Sequence, residues 1–309
     1  MMRVNNVPET ESTVPRRRFD LHVHSWYSYD AHLSPEDLFA AAEVAGVEAL
    51  AIADHHNMDG FAAFAEAAAA HPTVRWIPAM EVSVATEAAG FDIVALNVPL
   101  DAPQRLAEVV DRYRHWMRDF NRCLLAGFAE MGIPFGRAEA DRMLDEWRPG
   151  PARATQGEVR LPNHGLRPWL VEHGAVAPGD DYGALLGKAL EIGGGRPPLP
   201  RAEDVMPQFK AVGAMLILAH PGRALETRGE AGMDALVAAT QVDGIEVGHT
   251  SHTGEQVSRY ARYAGGRGLL MSGGTDVHFH ADLPEIGRHH CREEWAAALM
   301  SRLGMRRHS

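Results

Sequence analysis

The segment Asp20-Leu21-His22-Val23-His24-Ser25 closes an apolar run with two histidines one residue apart. On an extended strand, residues i and i+2 point the same way, so both imidazoles face one side. Two neutral ring nitrogens converging on one point suit a divalent metal ion. One such pair is weak evidence, but later strand ends repeat the theme. They bring Asp30, His55, Glu81, Asp92, His220, Asp276 and His278. Five histidines and four carboxylates at one rim are expected to hold two or three divalent ions, because charged groups are costly to gather without counter-charge. A nitrogen and oxygen donor set without thiolate favours Mn, Fe or Zn over Ca or Cu(I). Glu81 is the candidate bridging carboxylate. Water shared by two such ions becomes a hydroxide nucleophile near neutral pH. Arg223, three residues after His220, is placed to stabilise transition-state charge.

These residues need a scaffold that brings distant strand ends together. The sequence predicts strands at 19–24, 47–53, 74–85, 92–98, 214–219, 244–247 and 269–273, most of them separated by helices. That rhythm points to a seven-stranded α/β barrel with functional groups on one rim. Ser34-Pro35-Glu36-Asp37 reads as a helix start, with Ser as N-cap and Pro in the first turn. The link from 85 to 92 is too short for a parallel crossover, so the third and fourth strands form an antiparallel hairpin that sets Asp92 near Glu81.

From 103 to 213 the pattern becomes helix after helix: a long amphipathic one over 102–131, then 137–147, 163–173, 181–192 and 202–212. Pro/Gly-rich joints lie at 148–151 and 193–198. This stretch is expected to be a helical insertion, a cap on a barrel formed by 19–102 and 214–309. A final helix is expected at 292–302, and residues 1–18 read as a disordered polar tail.

Composition narrows the partners. The formal charge of −11 repels polyanions, so a broad nucleic-acid surface is not expected, although a metal-filled pocket can still take a phosphate. No run of eighteen apolar residues suggests a membrane span. Cys123 and Cys291 are far apart, and the start of the chain has no apolar signal segment. A reducing cytoplasm is the expected location.

The ordered motifs DLHVHSWYSYD, IADHHNMDG, AMEVS, LAHPGR and GTDVHF resemble those of the polymerase-and-histidinol-phosphatase (PHP) family, over about 19–287. The resemblance implies a distorted (β/α)7 barrel, a two- or three-metal centre and hydrolysis of phosphate esters. It assigns metal binding to His22, His24, Asp30, His55, Glu81, His220, Asp276 and His278. The family usually has a histidine where this chain has Asp92, and the step from His24 to Asp30 is one residue longer than its commonest pattern.

The segments around Arg160–His164 and Leu170–Gly174, together with Gly244–Val247 and Ser251-His252, resemble the stand-alone nucleotide phosphoesterases of this family. Those relatives act on 3′,5′-bisphosphonucleotides or trim short RNA from its 5′ end. The resemblance makes Arg160, His164, Arg223, Ser251 and His252 candidate substrate contacts, with Arg223 and His252 the catalytic candidates. Histidinol-phosphate phosphatase and cyclic phosphodiesterase are the alternatives within the class. A non-catalytic accessory module is a further alternative, disfavoured by a nearly whole ligand set. An amidohydrolase acting on C–N bonds is the rival of another class. Its binuclear form commonly uses a carboxylated lysine on a strand, and both lysines here, Lys188 and Lys210, fall in helical stretches.

Overall fold

The computed structural model describes residues 18–87 and 89–305. The expectation for the N-terminal tail therefore lies outside the described residues, except at Arg18, which opens the first strand. The elements run β1 (Arg18–Val23), α1 (Pro35–Val44), β2 (Val47–Ile52), α2 (Phe61–Ala70), β3 (Arg75–Trp76), β4 (Ala79–Ala85) and β5 (Gly90–Leu96). Helices follow: α3 (Ala102–Arg105), α4 (Ala107–Glu130), α5 (Arg137–Trp147), α6 (Gly150–Gln156), α7 (Asn163–Glu172), α8 (Tyr182–Ile192) and α9 (Ala202–Ala211). The chain ends with β6 (Met215–Leu218), α10 (Ala224–Thr240), β7 (Gly244–His249), α11 (Gly254–Arg267), β8 (Leu270–Gly274), a 3-10 turn (His280–Glu285) and α12 (Glu293–Arg302).

Among the described residues the strands form two sheets, ordered β1-β2-β3 and β4-β5-β6-β7-β8. The sheets do not close by continuous ladders among the described residues, so the unbroken ring of an ideal seven-stranded barrel is absent. Single bridges join their rims instead, Val23 to Val277 and His55 to Glu81. The expected strand over 74–85 is two strands, parted at Ile77-Pro78. Proline has no N–H to continue a ladder. Here the chain leaves β2, with Ile77 N–H donating to Leu50 O, and enters the second sheet, where Val98 N–H donates to Pro78 O. The β4–β5 hairpin is antiparallel, as its short link requires, and pairs Ser83 with Asp92 and Glu81 with Val94.

Three hydrophobic cores lie among the described residues. In the largest, Met80, Val82, Leu216, Leu218, Ile245 and Val247 meet Leu38, Phe39 and Phe64 from the helices. A second lies on the other face of the strands, where Ala79, Val94, Leu96 and Ile217 pack with Leu299 and Met300 of α12. Small Ala49 and Ala51 of β2, with Ala53 just after it, pack there too. The third belongs to the inserted helices, where Trp116, Phe120, Phe128, Phe135, Leu144, Leu170 and Leu190 pack together. The start of α4, through Tyr113, and all the core residues of α9 pack instead with the largest core. Leu106 interrupts the expected helix over 102–131, and the joint after Arg148 contains a short unpredicted helix, α6, with Pro151 in its first turn. Among the described residues no helix is long and apolar enough to cross a membrane.

Candidate metal centre

Every expected metal-ligating residue reaches one place. His22 and His24 leave β1 on the same side, and both are fully buried. Their Nε2 atoms stand 3.1 Å apart. Glu81 projects from β4 on the face shared with Ala79, away from Met80 and Val82. Its Oε2 lies 3.1 Å from His22 Nε2 and 3.3 Å from both His24 Nε2 and His55 Nε2, and its Oε1 lies 3.0 Å from His220 Nε2. Asp276 follows β8, its Oδ1 3.0 Å from His24 Nε2. Asp92 sits two residues before Val94, the partner of Glu81, so it shares the face of Glu81 and accepts from the Ser83 hydroxyl. Asp30 accepts from the Ser28 hydroxyl, and its carboxylate lies 3.4 Å from His55 and 3.7 Å from His278.

These residues form three adjoining groups, with the ligand atoms of each within 4.8 Å of one another: His24, Asp30, His55 and His278; His22, His24, Glu81 and Asp276; and Glu81, Asp92 and His220. His24 belongs to two groups and Glu81 to two. The donor set fits divalent ions. Imidazole nitrogens crowd a carboxylate oxygen, Glu81 Oε2, that is buried without a hydrogen-bond partner, although a lone buried acceptor is costly. These residues would satisfy their lone pairs together by holding cations.

The electrostatics show what the cluster does without cations. Burial works against charge on His24, but hydrogen bonds and the charges of Asp276 and Glu81 outweigh it and push its pKa up to about 10. Burial likewise opposes charge on His220, and Glu81 overcomes it, raising the pKa to about 9. His22 is also raised, against burial, by Glu81, Glu246 and Asp276. Burial would raise Glu81, yet His22 and His55 hold it well below the usual carboxylate range. Asp92 differs: burial and the charge of Glu81 raise it. Protons thus occupy the nitrogens that cations would otherwise take.

Strand-end backbone is bent to aim these groups. His56 and Asp276 adopt left-handed conformations, φ 63° and 57°, unusual for residues with a Cβ. Asp54 anchors the segment after β1 by accepting from Ser25 N–H and Ser25 Oγ, both at 2.6 Å, and burial pushes its pKa up to about 6.

Two residues not expected from the sequence belong here. His249 ends β7, is buried, and has Nε2 at 3.6 Å from Asp276 Oδ2, with its Nδ1 2.7 Å from Ser251 Oγ. Glu246, on the same strand, accepts from His220 N–H at 2.7 Å and lies 3.3 Å from His22 Nδ1, so it orients two ligands. The signal was available, since Gly-Ile-Glu-Val-Gly-His ends a strand in histidine, as the first strand does.

The expected substrate contacts are dispersed. Arg160 Nη1 donates to Tyr29 Oη at 3.1 Å, and its guanidinium lies over the rings of Tyr29 and Phe120. The Tyr29 ring is 5.1 Å from that of His55. His164 packs against Phe279, next in sequence to His278. Arg223 is 78% exposed and pairs with Glu226. His252 is buried with both ring nitrogens engaged, one 3.0 Å from Val247 O and the other accepting from Gly222 N–H. Ser251 supports His249.

Fold and site define a class, an α/β protein whose strand ends bring together His, Asp and Glu side chains able to hold metal ions. Residues 20–132 match the PHP domain family. The chain resembles that family over this segment, which carries His22, His24, Asp30, His55, Glu81 and Asp92. It is 29% identical over 279 residues to a 5′-3′ exoribonuclease of Haemophilus influenzae, covering 88% of this chain and 94% of that protein. It is 29% identical over 294 residues to a 3′,5′-nucleoside bisphosphate phosphatase of Chromobacterium violaceum, covering 89% and 94%. Two solved structures share the fold. One is a protein of Bifidobacterium adolescentis described as a metal-dependent phosphoesterase, with TM-score 0.73, 20% identity and coverage of 93% and 97%. The other is a Chromobacterium violaceum protein described as an amidohydrolase, with TM-score 0.68, 24% identity and coverage of 92% and 96%. Lys188 and Lys210 lie on α8 and α9, and Lys210 pairs with Asp243, so neither lysine supplies a bridging group on a strand.

Proposed function

We propose that this protein hydrolyses a small, nucleotide-like phosphomonoester, either a 3′,5′-bisphosphonucleotide or the 5′ end of a short RNA. The observation carrying this reading is the sharing of Glu81 and His24 among three adjoining ligand groups. The functions of the two curated relatives support the substrate class. His22, His24, Asp30, His55, Glu81, Asp92, His220, Asp276 and His278 would hold two or three Mn, Fe or Zn ions, and His249 joins them as a candidate. Bound ions supply Lewis acidity toward phosphoryl oxygens and a water acidified to near neutral pH.

The chain's own residues do the rest. Glu246 and Asp54 fix the ligands and their loops. Helices α4–α8 act as a cap over a distorted (β/α)7 arrangement, reaching it through Arg148, whose buried guanidinium donates to Ser28 O and Tyr27 O, and through Arg160. Arg160 and His164 stand beside ligand-bearing loops and are the best-placed substrate contacts. The charge of −11 disfavours a long polyanion and favours a small phosphate drawn to the ions. A cytoplasmic setting suits two free cysteines.

Mn-loaded protein should release phosphate from a 3′,5′-bisphosphonucleotide or a 5′-phosphorylated oligonucleotide faster than from histidinol phosphate or a cyclic phosphate. Absence of turnover on all four, with metal content verified, overturns the assignment.

A further inference from the structure

Beside His55 lies a cavity of about 10 Å³, lined among others by His55, Asn57, Asp59, Arg114 and Gln156. A cavity of this size has room for about one water, provided polar partners surround it. Three of its lining residues each carry a buried polar atom without a hydrogen-bond partner: His55 Nδ1, Asp59 Oδ2 and Gln156 Oε1. Each is costly to bury alone. Their other polar atoms are already committed. His55 Nε2 faces Asp30 and Glu81. Asp59 Oδ1 accepts from Arg114 Nη2 at 3.1 Å. Gln156 Nε2 donates to Tyr27 O at 2.8 Å.

We propose that one ordered water fills this cavity, accepting from His55 Nδ1–H and donating to Asp59 Oδ2 and Gln156 Oε1. The chemistry matches atom by atom. A histidine offering its Nε2 lone pair to a cation carries its proton on Nδ1, and it then needs an acceptor. Carboxylate and amide oxygens need donors, and water has two hydrogens to give. The surroundings are rigid enough to hold it: Asn57 Nδ2 donates to Tyr27 O and His55 O, and Asn57 Oδ1 accepts from Asp59 N–H. Gln156 and Asp59 are therefore positioning residues for the His55 ring. Through the water, an inserted helix, α6, bears on the orientation of a ligand. The ligand role of His55 rests on the function proposed above, whereas the water itself does not.

Two substitutions separate the roles of Gln156. Gln156→Met removes both its donor and its acceptor; Gln156→Glu keeps an acceptor and loses the donor to Tyr27 O. Mn²⁺ and Zn²⁺ affinities, read by competition with a chromophoric chelator, should fall about 10–100-fold in Gln156→Met, the usual loss when support for a ligand is removed. Gln156→Glu should stay within a few-fold of the parent. Equal losses in both variants would assign the effect to the Tyr27 bond and overturn the positioning role. So would unchanged affinity in Gln156→Met. Nitrogen-15 spectra of the metal-loaded parent should show His55 protonated at Nδ1, and a high-resolution crystal structure should show density between the three atoms. An empty cavity overturns the water even if the protein binds metal and hydrolyses phosphate, so its failure is distinguishable from failure of the functional reading.

Discussion

Glu81 is where the site is most sensitive to a single change. Both its oxygens face imidazole nitrogens within 3.3 Å, and its side chain is fully buried. Glu81→Gln keeps the volume but removes the negative charge that would balance bound cations. The variant should retain its fold, bind fewer ions per chain by elemental analysis, and lose roughly 100-fold or more in phosphate release. Full metal content with near-parent turnover would remove Glu81 from the bridging role. The residue scale is also where sequence reading went furthest. His22, His24 and Asp276 announced themselves because strand ends carrying donors are unusual. Arg223 and His252 lie close to the ligands in sequence, but their side chains bond elsewhere: Arg223 pairs with Glu226, and His252 engages Val247 O and Gly222 N–H with its ring 5.5 Å from that of His249.

At the scale of elements, α4 and α8 hold the inserted helices together by near-contact of their backbones. A Cβ at Gly127 would sit 1.8 Å from Ala189 O, and one at Gly193, just past α8, would sit 1.8 Å from Cys123 O. Neither clash can be relieved by turning a side chain, because the obstructing atom is backbone in both cases. Gly127→Ala should therefore force the helices apart and destabilise the protein by about 1–3 kcal/mol, measured by urea unfolding. Unchanged stability would show that α8 can slide without loss. The hairpin of β4 and β5 was legible because its link is too short for a crossover. The division at Ile77-Pro78 was not, since a continuous apolar run reads as one strand until the partner of each half is known.

Across the whole molecule, the centre couples folding to protons and ions. His24 and His220 have pKa values of about 10 and 9 in the fold against an ordinary 6.5. Their contribution to metal-free stability is full below 6.5 and is lost as pH rises through 9 to 10. Glu81 and Asp276 lie below their ordinary values of 4.5 and 3.8, so their contribution is present above that range and lost in acid. The metal-free protein should therefore melt highest between about pH 4.5 and 6.5, and its Tm should fall from pH 7 to 10. Cations must displace the histidine protons, so binding at pH 7 should release protons, seen as a heat that varies with the buffer's ionisation enthalpy. A buffer-independent heat would contradict the charge states described. Chelation should lower the Tm of the loaded protein, since an ion at about 1,000 times its Kd adds ~4 kcal/mol.

The amino-acid sequence by itself determined which residue types can bind metal, that most of them end strands, and that a helical stretch interrupts the α/β pattern. Those properties are local: alternation along a strand, a cap residue before a helix, a link too short to cross over. Only the tertiary structure decided that the strands divide into two sheets bridged at their rims, that His249 and Glu246 belong to the centre, and that Gln156 of an inserted helix lines a cavity with His55. Each of these depends on partners more than a hundred residues away, or on which way one ring turns. The physical reason is that pattern along the chain fixes the face a side chain takes, whereas its neighbour across space is set by packing among all the elements at once.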